Sequence, residues 1–67
     1  MDEKLTPKEQ EVLKFLIKGS LNKEIGHELK IALDTVKKHT TNIYKKLSVR
    51  NRSEAIVWYM NWKEGEN

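Results

Sequence analysis

Among its 67 residues the chain has no cysteine, a single proline and three glycines. Without cysteine there can be no disulfide and no thiolate metal site, which suits a reducing compartment; a cytoplasmic location is the expectation. No apolar run approaches the roughly 20 residues that span a bilayer, and no signal-peptide pattern opens the chain, so a soluble protein or a soluble fragment of one is expected, with no membrane role. The two histidines, His27 and His39, are too far apart to form a ligand pair on one helix. His39 reads as a half-buried structural side chain and His27 as a surface one. There is no glycine-rich phosphate loop, and no nucleophile and base that could share a pocket. The chain is therefore read as no enzyme, with no cofactor and no metal. Repeats, low-complexity tracts and strand-period alternation are absent too.

Acid is missing from one stretch in particular. Residues 35–52 hold Lys37, Lys38, Lys45, Lys46, Arg50 and Arg52 and no aspartate or glutamate, whereas residues 1–11 hold four acids against two lysines. The overall charge of +3 is modest, but this distribution points to a polyanion met from one side.

Helical signals account for nearly all of the rest. The length allows one domain, spanning 1–67, with a core from about residue 5 to 62 and a frayed polar tail over 63–67. Thr6-Pro7-Lys8-Glu9 is a helix start: Thr6 can cap, Pro7 suits the first turn, and Glu9 completes a reciprocal capping box, with Leu5 as a staple. Val12, Leu13, Leu16 and Ile17 form its buried stripe, Phe15 flanks it, and Gly19 ends it. A second start follows, capped by Ser20 or Asn22, with Ile25 and Leu29 facing inward. Gly26 in its middle costs about 0.5–1 kcal/mol relative to alanine, a penalty that marks close approach of another backbone. Ile31-Ala32-Leu33-Asp34 reads as a tight turn with Ile31 plugging the core. Asn51-Arg52-Ser53-Glu54 opens a last helix in which Ala55, Ile56, Tyr59 and Trp62 can face the core. Val57, Trp58 and Met60 exceed what one face requires, a sign of a partner. The expected architecture is all-α, a four-helix domain with helices at about 7–18, 22–30, 33–47 and 52–62.

The third helix organises the others. At 100° per residue Val36, Thr40, Ile43 and Leu47 stack on one stripe, while Lys38, Thr41 and Lys45 stand opposite, edged by Lys37 and Asn42. Two short helices joined by a tight turn, the second with a basic outer face, make a helix-turn-helix. Lys45 and Lys46, further along the helix, are candidate phosphate contacts, together with Lys23, Thr35, Arg50 and Arg52. Backbone amides at the starts of helices two and three can add uncharged phosphate donors.

Five blocks in order resemble the LuxR-type (GerE-like) DNA-binding domain: Leu5-Thr6-Pro7-Lys8-Glu9, Asn22-Lys23-Glu24-Ile25, Thr35-Val36-Lys37-Lys38-His39, Asn42-Ile43-Tyr44-Lys45-Lys46-Leu47 and Asn51-Arg52-Ser53-Glu54-Ala55. The resemblance covers residues 5 to about 60. It implies a four-helix domain of a bacterial transcription regulator, often the effector part of a response regulator, binding double-stranded promoter DNA in a sequence-specific way. It implies base or groove contacts from Lys37, Lys38 and Thr41, with Asn42 added as an assisting contact from the edge of the wheel, and a homodimer through helix four, for which Val57, Trp58 and Asn61 are the candidates. RNA polymerase is a further candidate partner. Three residues depart from the family pattern. Ala32 stands in place of a capping serine, Gly26 in place of alanine, and Ser48 in place of the glycine after helix three. Two rival readings are a sigma-factor region-four-like module and a protein-interaction module working through helix four.

Overall fold

A computed structural model describes residues 5–66, for Glu64 and Glu66 the backbone alone. Asp2, Glu3 and Lys4 of the acidic opening and Asn67 of the polar tail lie outside the described residues. Four helices follow one another: α1 (Pro7–Lys18), α2 (Asn22–Leu29), α3 (Leu33–Leu47) and α4 (Arg52–Glu66). Helix α3 packs against each of the other three, and α1 also packs against α4.

Local chemistry fixes most of the ends. The Glu9 N–H donates to Thr6 Oγ1 at 3.2 Å and the Thr6 N–H donates to Glu9 Oε1 at 3.0 Å, closing the capping box. Gly19, at φ 91°, ends α1 in the left-handed region where glycine meets no Cβ penalty. At α2 the expected cap is displaced: Leu21 holds the N-cap position, without a side-chain acceptor, and its N–H donates to Glu24 Oε1 at 2.8 Å. Asn22 is instead the first helical residue, with its Oδ1 buried and without a hydrogen-bond partner among the described residues. The start of α3 bears out the weakened cap, since Ala32 occupies the N-cap and no side chain bonds there; Asp34 is exposed in the first turn. At α4 the Glu54 N–H donates to Asn51 Oδ1 at 2.9 Å, the expected cap.

The core is Val12, Leu13 and Leu16 from α1, Ile25 from α2, and Val36 and Ile43 from α3, with Leu5, Phe15, Ile31 and Leu47 packed around it. Gly26 is buried where α2 meets the turn into α3. A Cβ built there would lie 2.9 Å from the Ile31 carbonyl oxygen and 3.5 Å from Val36 Cγ2. The turn is thus closed onto bare backbone, which explains a glycine in mid-helix. Thr40 is buried on the same stripe, and its hydroxyl donates to the Val36 carbonyl at 2.9 Å, so the polar atom is satisfied within its own helix.

Two expectations about α4 need correction. Trp62 is 49% exposed, and Trp58 rather than Trp62 packs against the core together with Tyr59. Trp58 and Tyr59, in the first half of the helix, pack against the core, whereas residues 60–63 are all exposed. The helix also continues to Glu66 rather than stopping near Trp62, so that 63–66 are helical, not a frayed tail. The Trp58 and Trp62 rings stack, with centroids 6.0 Å apart and planes 6° from parallel. This aromatic contact between successive turns supports the extra length.

Ser48 ends α3 at φ 58°, in the left-handed region, with its N–H donating to the Lys45 and Tyr44 carbonyls and Val49 N–H donating to Tyr44 O at 2.9 Å. A non-glycine residue is strained there. Ser48→Gly should therefore stabilise the domain by about 0.5–1 kcal/mol, raising the melting temperature by roughly 2–8 °C. Thermal unfolding followed by circular dichroism checks this, and an unchanged or lower midpoint would contradict it.

Candidate nucleic-acid interface

The outward side of α3 is where the sequence-predicted residues gather. Lys37, Lys38, Thr41 and Lys45 are exposed, while Thr35 and Asn42 are half-buried. No described acid lies within ion-pair distance of Lys37, Lys38 or Lys45. The result is a strip of uncompensated positive charge and hydroxyl, backed by the apolar stripe of Val36, Thr40 and Ile43 that seats the helix. Asn42 lies at the margin of this strip, as its wheel position suggests.

The flanking cations divide. Lys23 on α2 is exposed. Arg50 is 87% exposed in its side chain and lies 3.4 Å from Glu54 Oε2, an ion pair so open to water that it contributes little and can be exchanged. Arg52 is half-buried at the start of α4. Lys46, expected among the phosphate contacts, is engaged by another helix: its Nζ donates to Glu9 Oε1 at 2.8 Å, and its side chain is 24% exposed. It therefore ties the last turn of α3 to the first turn of α1, and its charge is taken up inside the domain.

Glu9 is the residue whose role the sequence understated. It is 4% exposed and serves two partners, the Thr6 cap and the Lys46 ammonium. Burial alone would raise its carboxyl pKa. The Lys46 hydrogen bond and charge, and the Thr6 bonds, outweigh that and hold it below the ordinary 4.5. The folded value thus lies below the unfolded one. The group stabilises the fold above the unfolded value, and that contribution is lost as the pH falls through the folded value. Between about pH 6 and about pH 3, wild type should lose more melting temperature than Glu9→Gln, which cannot titrate there. Parallel acid melts of the two proteins decide it; equal losses would remove Glu9 from the acid response.

On α4 the candidate contact residues lie along one side. Val57 is 57% exposed, Asn61 is exposed, and Trp58 is half-buried. Val57 and Trp58 line a shallow groove with Val49, Ser53 and Glu54. His39 is half-buried and His27 exposed, as expected, and among the described residues no cluster of histidine and carboxylate could hold a metal ion. No described helix is long and apolar enough to cross a membrane.

The model of the bacterial regulatory proteins of the luxR family, GerE, matches residues 3–59, most of the chain. The chain belongs to the LuxR family. It is a DNA-binding helix-turn-helix domain of the transcription-regulator kind, and the family is not one of enzymes. Among its relatives, the transcriptional regulatory protein LiaR of Bacillus subtilis (strain 168) is 50% identical over 56 residues, 84% of this chain and 26% of that protein. The nitrate/nitrite response regulator protein NarL of Escherichia coli (strain K12) is 43% identical over 54 residues, 81% of this chain and 25% of that protein. The HTH-type transcriptional regulator MalT of Vibrio cholerae is 44% identical over 52 residues, 78% of this chain but 6% of that protein. This LuxR-family domain thus spans about a quarter, or less, of the curated relatives it matches.

Proposed function

We propose that this LuxR-family domain reads double-stranded DNA by sequence, with α3 in the major groove and two copies joined through α4, as the promoter-binding part of a bacterial regulator in the cytoplasm. The observation that carries this reading is the strip of exposed Lys37, Lys38, Thr41 and Lys45 on α3, unopposed by any described acid. A B-form major groove, about 12 Å wide, accepts one helix. There Lys37 and Lys38 can donate to guanine O6 and N7, and Thr41 can meet a thymine methyl or donate to a base, with Asn42 assisting from the edge. Lys45, Lys23, Arg50, Arg52 and Thr35 are the candidates for the flanking phosphates, supported by the exposure of Lys45, Lys23 and Arg50. The first-turn amides of α2 and α3, which no side chain caps, add donors.

A domain this small holds few phosphates, about four to six per protomer, so its affinity falls steeply with salt. Two copies on half-sites about 34–36 Å apart supply useful affinity. Selection of bound sites from random duplexes tests the reading directly. A recovered motif with a two-fold repeat at that spacing supports it, and no enrichment with no salt-dependent binding defeats it.

The α4 contact has its own test. Val57 and Trp58 present apolar area beside a groove, with Asn61 a turn further on. Trp58→Lys is expected to weaken self-association at least tenfold in sedimentation measured across concentration on the operator; an unchanged distribution would place the dimer contact elsewhere.

A further inference from the structure

Four lysines lie on α3, and they are not equivalent. Lys37, Lys38 and Lys45 are exposed, whereas Lys46, one position beyond Lys45, reaches back to Glu9 at 2.8 Å. The same Glu9 oxygen accepts the Thr6 N–H at 3.0 Å, so the carboxylate is fixed by the α1 cap before it meets the lysine. Glu9 is 4% exposed. Pulling Lys46 away toward a phosphate would strip a buried carboxylate of an ammonium partner, and an uncompensated buried charge is costly.

We infer that Glu9 is a positioning residue that sets DNA specificity from outside the groove: it withholds Lys46 from the phosphate backbone and so limits sequence-blind binding. The inference rests on the DNA-binding reading above. A phosphate contact adds affinity for every duplex alike, so one fewer leaves more of the total to base contacts. Glu9 thus keeps the ratio of cognate to random binding high while anchoring the end of α3 to α1.

Salt dependence counts phosphate contacts, each contributing about 0.9 to the slope of log affinity against log salt. The experiment measures that slope on a random-sequence duplex for wild type, Glu9→Gln, Lys46→Met, Lys45→Ala and Glu11→Gln. Lys45→Ala should be shallower by about 0.9, while Lys46→Met should match wild type. Glu9→Gln, which takes away the carboxylate partner of Lys46, should be steeper than wild type, bind random duplex more tightly, and lose part of its cognate-to-random ratio. Glu11→Gln makes the same change in net charge at an exposed site paired only loosely with Lys8, and should leave the slope alone. If Lys46→Met loses as much slope as Lys45→Ala, or if Glu9→Gln behaves as Glu11→Gln does, the inference is overturned. Should Glu9→Gln unfold at the assay temperature, the slopes are compared at a temperature where circular dichroism shows it folded, and a slope there equal to that of Glu11→Gln overturns the inference. A wild-type protein with no slope at all would strike the DNA-binding reading itself, a distinguishable result.

Discussion

Replacing Val36 with aspartate is expected to leave no folded domain at 25 °C. Val36 is fully buried at the centre of the core and faces the bare backbone of Gly26, so nothing near it can accommodate a solvated group. Loss of the valine costs about 1.5–3 kcal/mol of burial, and an unpaired carboxylate in that place costs several more. A domain of this length has roughly 3–10 kcal/mol in total. The penalty therefore matches or exceeds the reserve. Far-ultraviolet circular dichroism should show loss of helix, and Lys37→Asp, one exposed position along, should keep a cooperative melt. A folded Val36→Asp protein would mean that α3 is not seated as described.

The second large effect concerns recognition. Lys38→Ala and Thr41→Ala should each weaken binding to the selected motif by about 1–3 kcal/mol, roughly five- to 150-fold. Both side chains are exposed, so the melting temperature should move by no more than about 2 °C. On random duplex Thr41→Ala should change little, and Lys38→Ala should lose far less than on the motif. Titrations on both duplexes make the comparison, and equal losses on the two would show that neither residue reads bases directly.

Features set by neighbours in the chain were legible in the sequence. Thr6, Pro7 and Glu9 lie within one turn, and their capping box forms as their spacing requires. The stripe of Val36, Thr40 and Ile43 is a matter of 100° steps, and it is buried. Gly26 betrayed a close approach through its helix penalty alone. What the sequence did not yield depends on distance or packing angle. Glu9 and Lys46 are 37 positions apart, and no local pattern says that the last turn of α3 meets the first turn of α1. The sequence alone therefore does not distinguish Lys46 from the other lysines of α3. Trp58 and Trp62 are one turn apart on the same helix, and only the docking angle of α4 decides which of them reaches the core. At α2 two plausible caps, Ser20 and Asn22, flanked a leucine that took the position because Glu24 could satisfy its amide.

The chain's only two tryptophans are stacked on one another, both on α4 and neither on α3. Its tryptophan emission, excited at the red edge where Tyr44 of α3 and Tyr59 barely absorb, is therefore a local optical probe of the fourth helix, with one indole half in water and one against the core. Covering that helix would shift the emission maximum toward the blue, whereas events confined to the third helix would leave the indoles' surroundings as they are. Without any attached dye, the two kinds of encounter can be told apart in a single cuvette.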